Sequence, residues 1–141
     1  LNVLQYLPFQ RFEEAIAKTA ELTKSGGLFF GDFITPDHVR WYPHVIEGKN
    51  VISLRQPVLV EKENYTFQQS EIINISKISG ELRITYEGKH LRYLPSMLKV
   101  RRLFEKYFQK GVYLYDAISL KTIGQDEETC PSTRYLLVAE K

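Results

Sequence analysis

Apolar residues recur every three or four positions through Phe9, Phe12, Ile16, Ala20 and Thr23, while Arg11, Glu13, Glu14, Lys18 and Glu21 fall largely elsewhere. That spacing predicts an amphipathic helix with one buried face. Pro8 suits its first turn, where a missing N–H costs nothing. Lys24 suits the negative end of the helix dipole, and Ser25-Gly26-Gly27 supplies a left-handed stop. The period then changes. Leu28 to Phe33 is nearly all apolar, which predicts a strand covered on both faces, as in parallel sheets. Leu1 to Tyr6 reads as a short strand ahead of the helix. Strand, helix, Gly-Gly turn and strand together make a βαβ unit.

Residues 34–60 read as irregular, with a helical turn between Pro36 and Pro43 and a short strand at "NVISL" (50–54). Two β-branched and aromatic stretches follow, "YTFQQSEIINIS" (65–76) and "ELRITYEGKHLRYL" (81–94). With Ile78-Ser79-Gly80 as the turn region they predict an antiparallel hairpin. Pro95 opens a second helix. Met97, Val100, Phe104, Tyr107 and Phe108 form its apolar stripe, and Lys99, Arg101, Arg102, Glu105 and Lys106 its solvated face. A strand over 112–120, a polar loop over 121–133 and a final strand over 134–141 complete the pattern.

The 141 residues suit one domain with a real core. A net charge of +2, from 19 basic and 17 acidic side chains, argues against nucleic acid or an anionic membrane as partner. One cysteine, Cys130, makes an intrachain disulfide impossible and suits a reducing compartment. No apolar run approaches a membrane span. A cytoplasmic protein is expected. The opening "LNVLQYLPF" lacks an initiator Met and starts on an apolar run, which reads as a cut through something larger.

Phosphate-binding, metal-binding and nucleophile-elbow motifs are all missing from the sequence. His38, His44 and His90 have no spacing that favours a shared metal, so none is expected. Asp32 closes the apolar strand at its carboxyl end, the edge where open α/β sheets bind ligands. Asp37, His38, Arg40, Trp41, Tyr42 and His44 gather ionisable and aromatic groups in the loop beyond it, as substrate pockets do. They equally suit a surface loop anchored by Trp41. "KHLRYLP" (89–95) places His90, Arg92 and Tyr93 on the hairpin, where basic residues either meet an anionic ligand or protect a sheet edge.

Taken in order, "QYLPF", the amphipathic helix, "SGGLFFGDF", the inserted hairpin, the second helix and the two strands closing on "TRYLLVAEK" resemble the second half of a class I S-adenosylmethionine-dependent methyltransferase. The inserted strands are similar to those of glycine N-methyltransferase-like enzymes. The resemblance implies a partial Rossmann-like α/β sheet, with parallel strands and an antiparallel last strand slotted between its neighbours. It carries an antiparallel insertion over 50–94. The family's Gly-rich loop and ribose-binding acidic residue have no counterpart here, so residues 1–141 would be the C-terminal, substrate-side half. It also implies that Gln5, Tyr6 and Leu7 face the cofactor. Asp32, Phe33, Ile34 and Thr35 would face the acceptor, joined by Arg40, Trp41, Tyr42, His90, Arg92 and Tyr93. Asp32, His38 and His44 are the candidates for proton handling, though an aspartate capping a loop explains Asp32 as cheaply.

The function implied is methyl transfer from S-adenosylmethionine to a small-molecule acceptor, with the missing N-terminal half as structural partner. Two other readings remain open. One is a non-catalytic module in which Tyr65, Phe67, Tyr86 and Tyr93 wrap an apolar ligand. The other is a subunit that completes another chain's sheet, dimerising through an exposed edge at Leu1–Tyr6.

Overall fold

The computed structural model describes residues 3–41 and 44–141. Helix α1 (Phe9–Leu22) begins directly after Pro8 and buries Phe12, Ile16 and Ala20, the stripe the spacing predicts. Its end uses both glycines. Gly26 adopts φ +75°, and a Cβ on Gly27 would lie 2.8 Å from the Lys24 carbonyl oxygen. The chain therefore reverses in two residues, and the C-terminal Lys141 docks on that turn. Gly26 N–H donates to the Lys141 carbonyl at 2.7 Å, and Lys141 N–H to the Gly27 carbonyl at 3.1 Å.

Helix α2 (Met97–Tyr107) starts at Ser96, whose hydroxyl accepts from the Lys99 N–H at 3.2 Å. Met97, Val100 and Phe104 are buried as predicted, but Arg101 is not on the solvated face. It is 3% exposed. Its guanidinium donates to the carbonyls of Gly124 (2.9 Å) and Ile123 (3.4 Å) and also to that of Gln125. A periodicity rule assigns Arg to solvent. Here the carbonyls of Ile123, Gly124 and Gln125, at the end of β7 and just beyond it, accept its N–H groups and hold it inward.

The first sheet has the order β1-β8-β6-β7, from β1 (Leu28–Ile34), β6 (Gly111–Asp116), β7 (Thr122–Ile123) and β8 (Arg134–Glu140). The last strand lies between β1 and β6 and is antiparallel to both. The expected parallel pairing is overturned: every strand pair described is antiparallel. Val3–Tyr6 forms a 3₁₀ turn rather than a strand beside β1; Leu1 and Asn2 lie outside the described residues. Six residues before a proline are too few for periodicity to separate the two forms. In place of a neighbouring strand, the Gln5 amide bonds both the N–H and the carbonyl of Ile34, each at 3.0 Å. One side chain thus imitates a single rung of a β ladder at the free edge of β1.

Coverage of β1 on both faces is also overturned. Phe33 on one face joins Phe12, Ile16, Phe104, Phe108, Tyr135 and Leu137 in the main core, with Phe29 packed against it. The other face carries Leu28 and Phe30, 53% and 70% exposed, beside Tyr113 at 47%. Beyond β6, the predicted strand over 112–120 stops at Asp116. Asp116 Oδ1 accepts the N–H groups of Ile118 (3.1 Å) and Ser119 (2.7 Å), and Oδ2 that of Ser132 (2.8 Å). These bonds turn the chain and hold the carboxyl far below the usual carboxylate range.

The second sheet is an antiparallel meander of β2 (Val45–Glu47), β3 (Val51–Lys62), β4 (Tyr65–Ile78) and β5 (Glu81–Tyr93). The β4–β5 hairpin matches the predicted one, with a register shift at Asn74/Ile75. The 12-residue β3 replaces a region read as mostly irregular. Its hairpin to β4 turns on Glu63 and Asn64, with φ of 49° and 66°, the sign pattern of a type I′ turn. Glutamate is a poor residue there, which hides the turn from sequence reading. Exchanging Glu63-Asn64 for Asn-Gly is expected to raise stability by about 0.5–1 kcal/mol, read as a higher urea midpoint. A lowered midpoint would mean that Glu63 contacts hold the turn.

Candidate functional site

The carboxyl end of β1 runs into a 3₁₀ helix, Pro36–Trp41, and meets the start of β8. Asp32 does stand at this edge. Its carboxylate accepts from Arg134 Nη2 at 2.5 Å and Nε at 3.4 Å, on the neighbouring strand. Ile34 pairs directly with Arg134, so the ion pair runs diagonally across the ladder. Phe33 is core, stacked on Tyr135 at 5.4 Å. Thr35 donates from its N–H (3.0 Å) and hydroxyl (3.2 Å) to the Thr133 carbonyl.

His38 rises from the 3₁₀ helix to share a hydrogen bond between its Nδ1 and the Thr133 hydroxyl, 2.9 Å. Burial, reinforced by the positive Arg134, pulls the imidazole below its ordinary value of 6.5, against a smaller opposing pull from Asp32. Near neutral pH His38 is thus mainly uncharged. Arg40 and Trp41 are exposed at the far end of the same helix, Trp41 by 77%. Tyr42 lies outside the described residues.

A second group sits on one face of the meander. Arg92 is 7% exposed, lies 4.3 Å over the Tyr6 ring and donates to the Tyr6 hydroxyl. His90 Nε2 is 2.7 Å from the Tyr86 hydroxyl, and its ring meets the Tyr6 ring edge-on at 6.5 Å. Tyr6, Gln68, Ser70, Ile72, His90 and Arg92 line a pocket of about 10 Å³. Gln68 donates to Ser70 at 3.0 Å, yet Gln68 Oε1 and Arg92 Nε are buried and have no hydrogen-bond partner among the described residues. Burial, then the neighbouring positive Arg134, pushes the Arg92 guanidinium down to about 10.

On the opposite face of the meander, Tyr6, Leu7, Pro8, Phe9, Phe67, Leu91 and Tyr93 border a larger cavity of about 480 Å³, with Lys62 and Glu63 at its wall. Tyr93 is therefore core, packed edge-on against Phe12 at 5.4 Å. Gln5 is wholly buried with its amide engaged by Ile34.

The structure thus gathers Asp32, Thr35 and His38 around Thr133 and Arg134, with Tyr6, His90 and Arg92 in a neighbouring group. His44 stays apart, in a surface depression with Leu54, Arg55, Gln56, Glu71 and Ile73. Sequence reasoning missed Thr133, Arg134, Gln68 and Ser70. Arg134 was findable: an antiparallel last strand beside β1 puts its first residue at β1's carboxyl end.

No protein family matches the sequence, and no curated protein matches it either. Solved structures do resemble the fold. A methyltransferase dependent on S-adenosylmethionine from Clostridium acetobutylicum superposes with TM-score 0.68 at 13% identity, over 99% of this chain and 55% of its own. DesVI from Streptomyces venezuelae gives 0.62 at 18%, over 99% and 55%. A sugar N-methyltransferase from a Streptoalloteichus species gives 0.56 at 9%, over 100% and 54%. The chain spans little more than half the length of each.

S-Adenosylmethionine needs groups for a nucleoside, a sulfonium and an amino acid. Of the three residues expected to meet it, Gln5 is spent on Ile34 and Tyr6 is engaged by Arg92, leaving Leu7 at the cavity wall. Asp32, the carboxylate at this edge, is held by Arg134. The residues present do not by themselves fit that cofactor. What the geometry and the superpositions establish together is that this chain carries part of the fold of the S-adenosylmethionine-dependent methyltransferases.

Proposed function

We propose that the intact protein transfers a methyl group from S-adenosylmethionine to a small-molecule acceptor, and that this chain is its C-terminal, acceptor-side portion. The observation that carries the reading is the position of β8 between β1 and β6, with both helices on one face, in a fold that methyltransferases share over nearly the whole chain. Two further features support it. The outer edge of β1 has no strand partner among the described residues, and its Leu28 and Phe30 face is open. A preceding strand and helices of the same polypeptide would cover both. Val3–Tyr6 is a 3₁₀ turn, so the edge that would accept such a strand is that of β1.

This chain's own contribution is positioning and proton handling. Methyl transfer is an in-line displacement, so the protein mainly aligns the nucleophile and excludes water. His38 is the candidate base: largely uncharged near neutrality, oriented by Thr133, and beside the end of β1. Asp32, committed to Arg134, orients the rim rather than taking the proton.

Titration calorimetry of S-adenosylmethionine into the 141-residue chain is expected to give weak or no binding, while the full-length protein binds it. Micromolar affinity for the chain alone would overturn the assignment of the cofactor site to residues outside it.

A further inference from the structure

A buried cation needs a counter-ion or a full set of hydrogen bonds, and Arg92 has neither. It is 7% exposed and forms no ion pair among the described residues. Its guanidinium meets the Tyr6 ring and hydroxyl, both neutral. The charge closest in effect is Arg134, of the same sign. Arg101 makes the contrast. It is as deeply buried, but three backbone carbonyls face it. The Nε of Arg101, like that of Arg92, has no partner among the described residues; the difference is that the Arg101 Nη groups meet three carbonyl oxygens, whereas Arg92 Nη2 meets one phenol hydroxyl.

The surroundings are those of a binding wall. Arg92, Gln68 and Ser70 are all nine-tenths buried or more, lie on one face of β4 and β5, and border the same small pocket. Its volume of about 10 Å³ admits one oxygen-sized group. Arg92 Nε is an unmet donor and Gln68 Oε1 an unmet acceptor. As it stands the space takes one oxygen of an acidic group against the guanidinium; for a hydroxyl or amine beside that oxygen to donate to Gln68, the half-exposed Tyr6 ring that covers the pocket swings aside.

We propose that the pocket formed by Gln68, Ser70, His90 and Arg92 beneath Tyr6 is an anion subsite, which holds the carboxylate or phosphate of the methyl acceptor. The proposal rests on the methyltransferase reading for the word acceptor only. Anion binding itself is measurable with no cofactor and no turnover.

The test uses the protein without cofactor and two probes, inorganic phosphate and glycolate, each compared with chloride at equal ionic strength. Thermal unfolding is followed together with the ¹H–¹⁵N signal of the Arg92 side-chain Nε–H, assigned by its loss in Arg92→Met. At least one probe is expected to raise the melting temperature saturably and to move that signal. Arg92→Met is expected to weaken the effect at least tenfold, and Arg92→Lys to keep part of it. Stabilisation by phosphate alone identifies a phosphorylated acceptor, and by glycolate alone a carboxylate one. If neither probe moves the Arg92 signal beyond chloride, the subsite is wrong, whether or not the variants fold. If a probe binds but no methyl transfer is ever found, the subsite stands and the enzymatic reading falls.

Discussion

His38→Asn in the full-length protein is expected to lower kcat by about 10²- to 10⁴-fold, the usual contribution of a positioned base. On the proposed reading, an acceptor that attacks through an N–H or O–H loses a proton, and His38 is the group at the rim of β1 that burial and Arg134 keep uncharged. The pH profile gives the sign. A base works when unprotonated, so the rate rises with pH through a midpoint below 6.5 and is flat above it. Asparagine retains a polar partner for Thr133, so the melting temperature is expected to change little. A lowered melting temperature with unchanged kcat would instead make His38 a structural partner of Thr133. Asp32→Asn provides the contrast. It weakens a partly exposed ion pair to Arg134, a change of at most about 1 kcal/mol in stability, and is expected to affect turnover less than His38→Asn.

Phe104→Ala is the substitution with the largest expected effect on stability. Phe104 is fully buried and is ringed by Phe29 at 5.0 Å, Phe33 at 6.2 Å and Phe108 at 5.6 Å. It therefore ties α2 to both β1 and its own C-terminal end. Truncation leaves a cavity between rigid rings that cannot collapse into it, at a cost of about 3–5 kcal/mol. That is a large share of the roughly 5–15 kcal/mol that holds a domain. Urea unfolding is expected to show a much lower midpoint with an unchanged slope, and Phe104→Leu a loss of less than half as much. A shift below about 1 kcal/mol for the alanine variant would mean that the helix does not pack on β1 as described.

Both helices were legible because their buried faces obey a 3.6-residue period that no other element shares. Phe12, Ile16 and Ala20, like Val100 and Phe104, are buried where the pattern places them. The β4–β5 hairpin was legible from alternation and from Ser79-Gly80, both of which adopt positive φ. β3 was not, because Glu63-Asn64 is an untypical type I′ pair and Pro57 interrupts the run. Among the site residues, Asp32 was located correctly at the end of its strand. The partner that occupies it, Arg134, lies 102 positions away in sequence.

The amino-acid sequence alone determined the two helices, β1, the β4–β5 hairpin, the closing strand and the Gly-Gly reversal, since these follow from local periodicity and backbone sterics. Only the tertiary structure decided which polar groups are spent and which are left over. It gave the Gln5 amide to Ile34, the Asp32 carboxylate to Arg134 and the Arg101 guanidinium to loop carbonyls, and it left Arg92 buried without a counter-charge. Hydrogen-bond satisfaction depends on distances between residues far apart in the chain, and no local pattern encodes those distances.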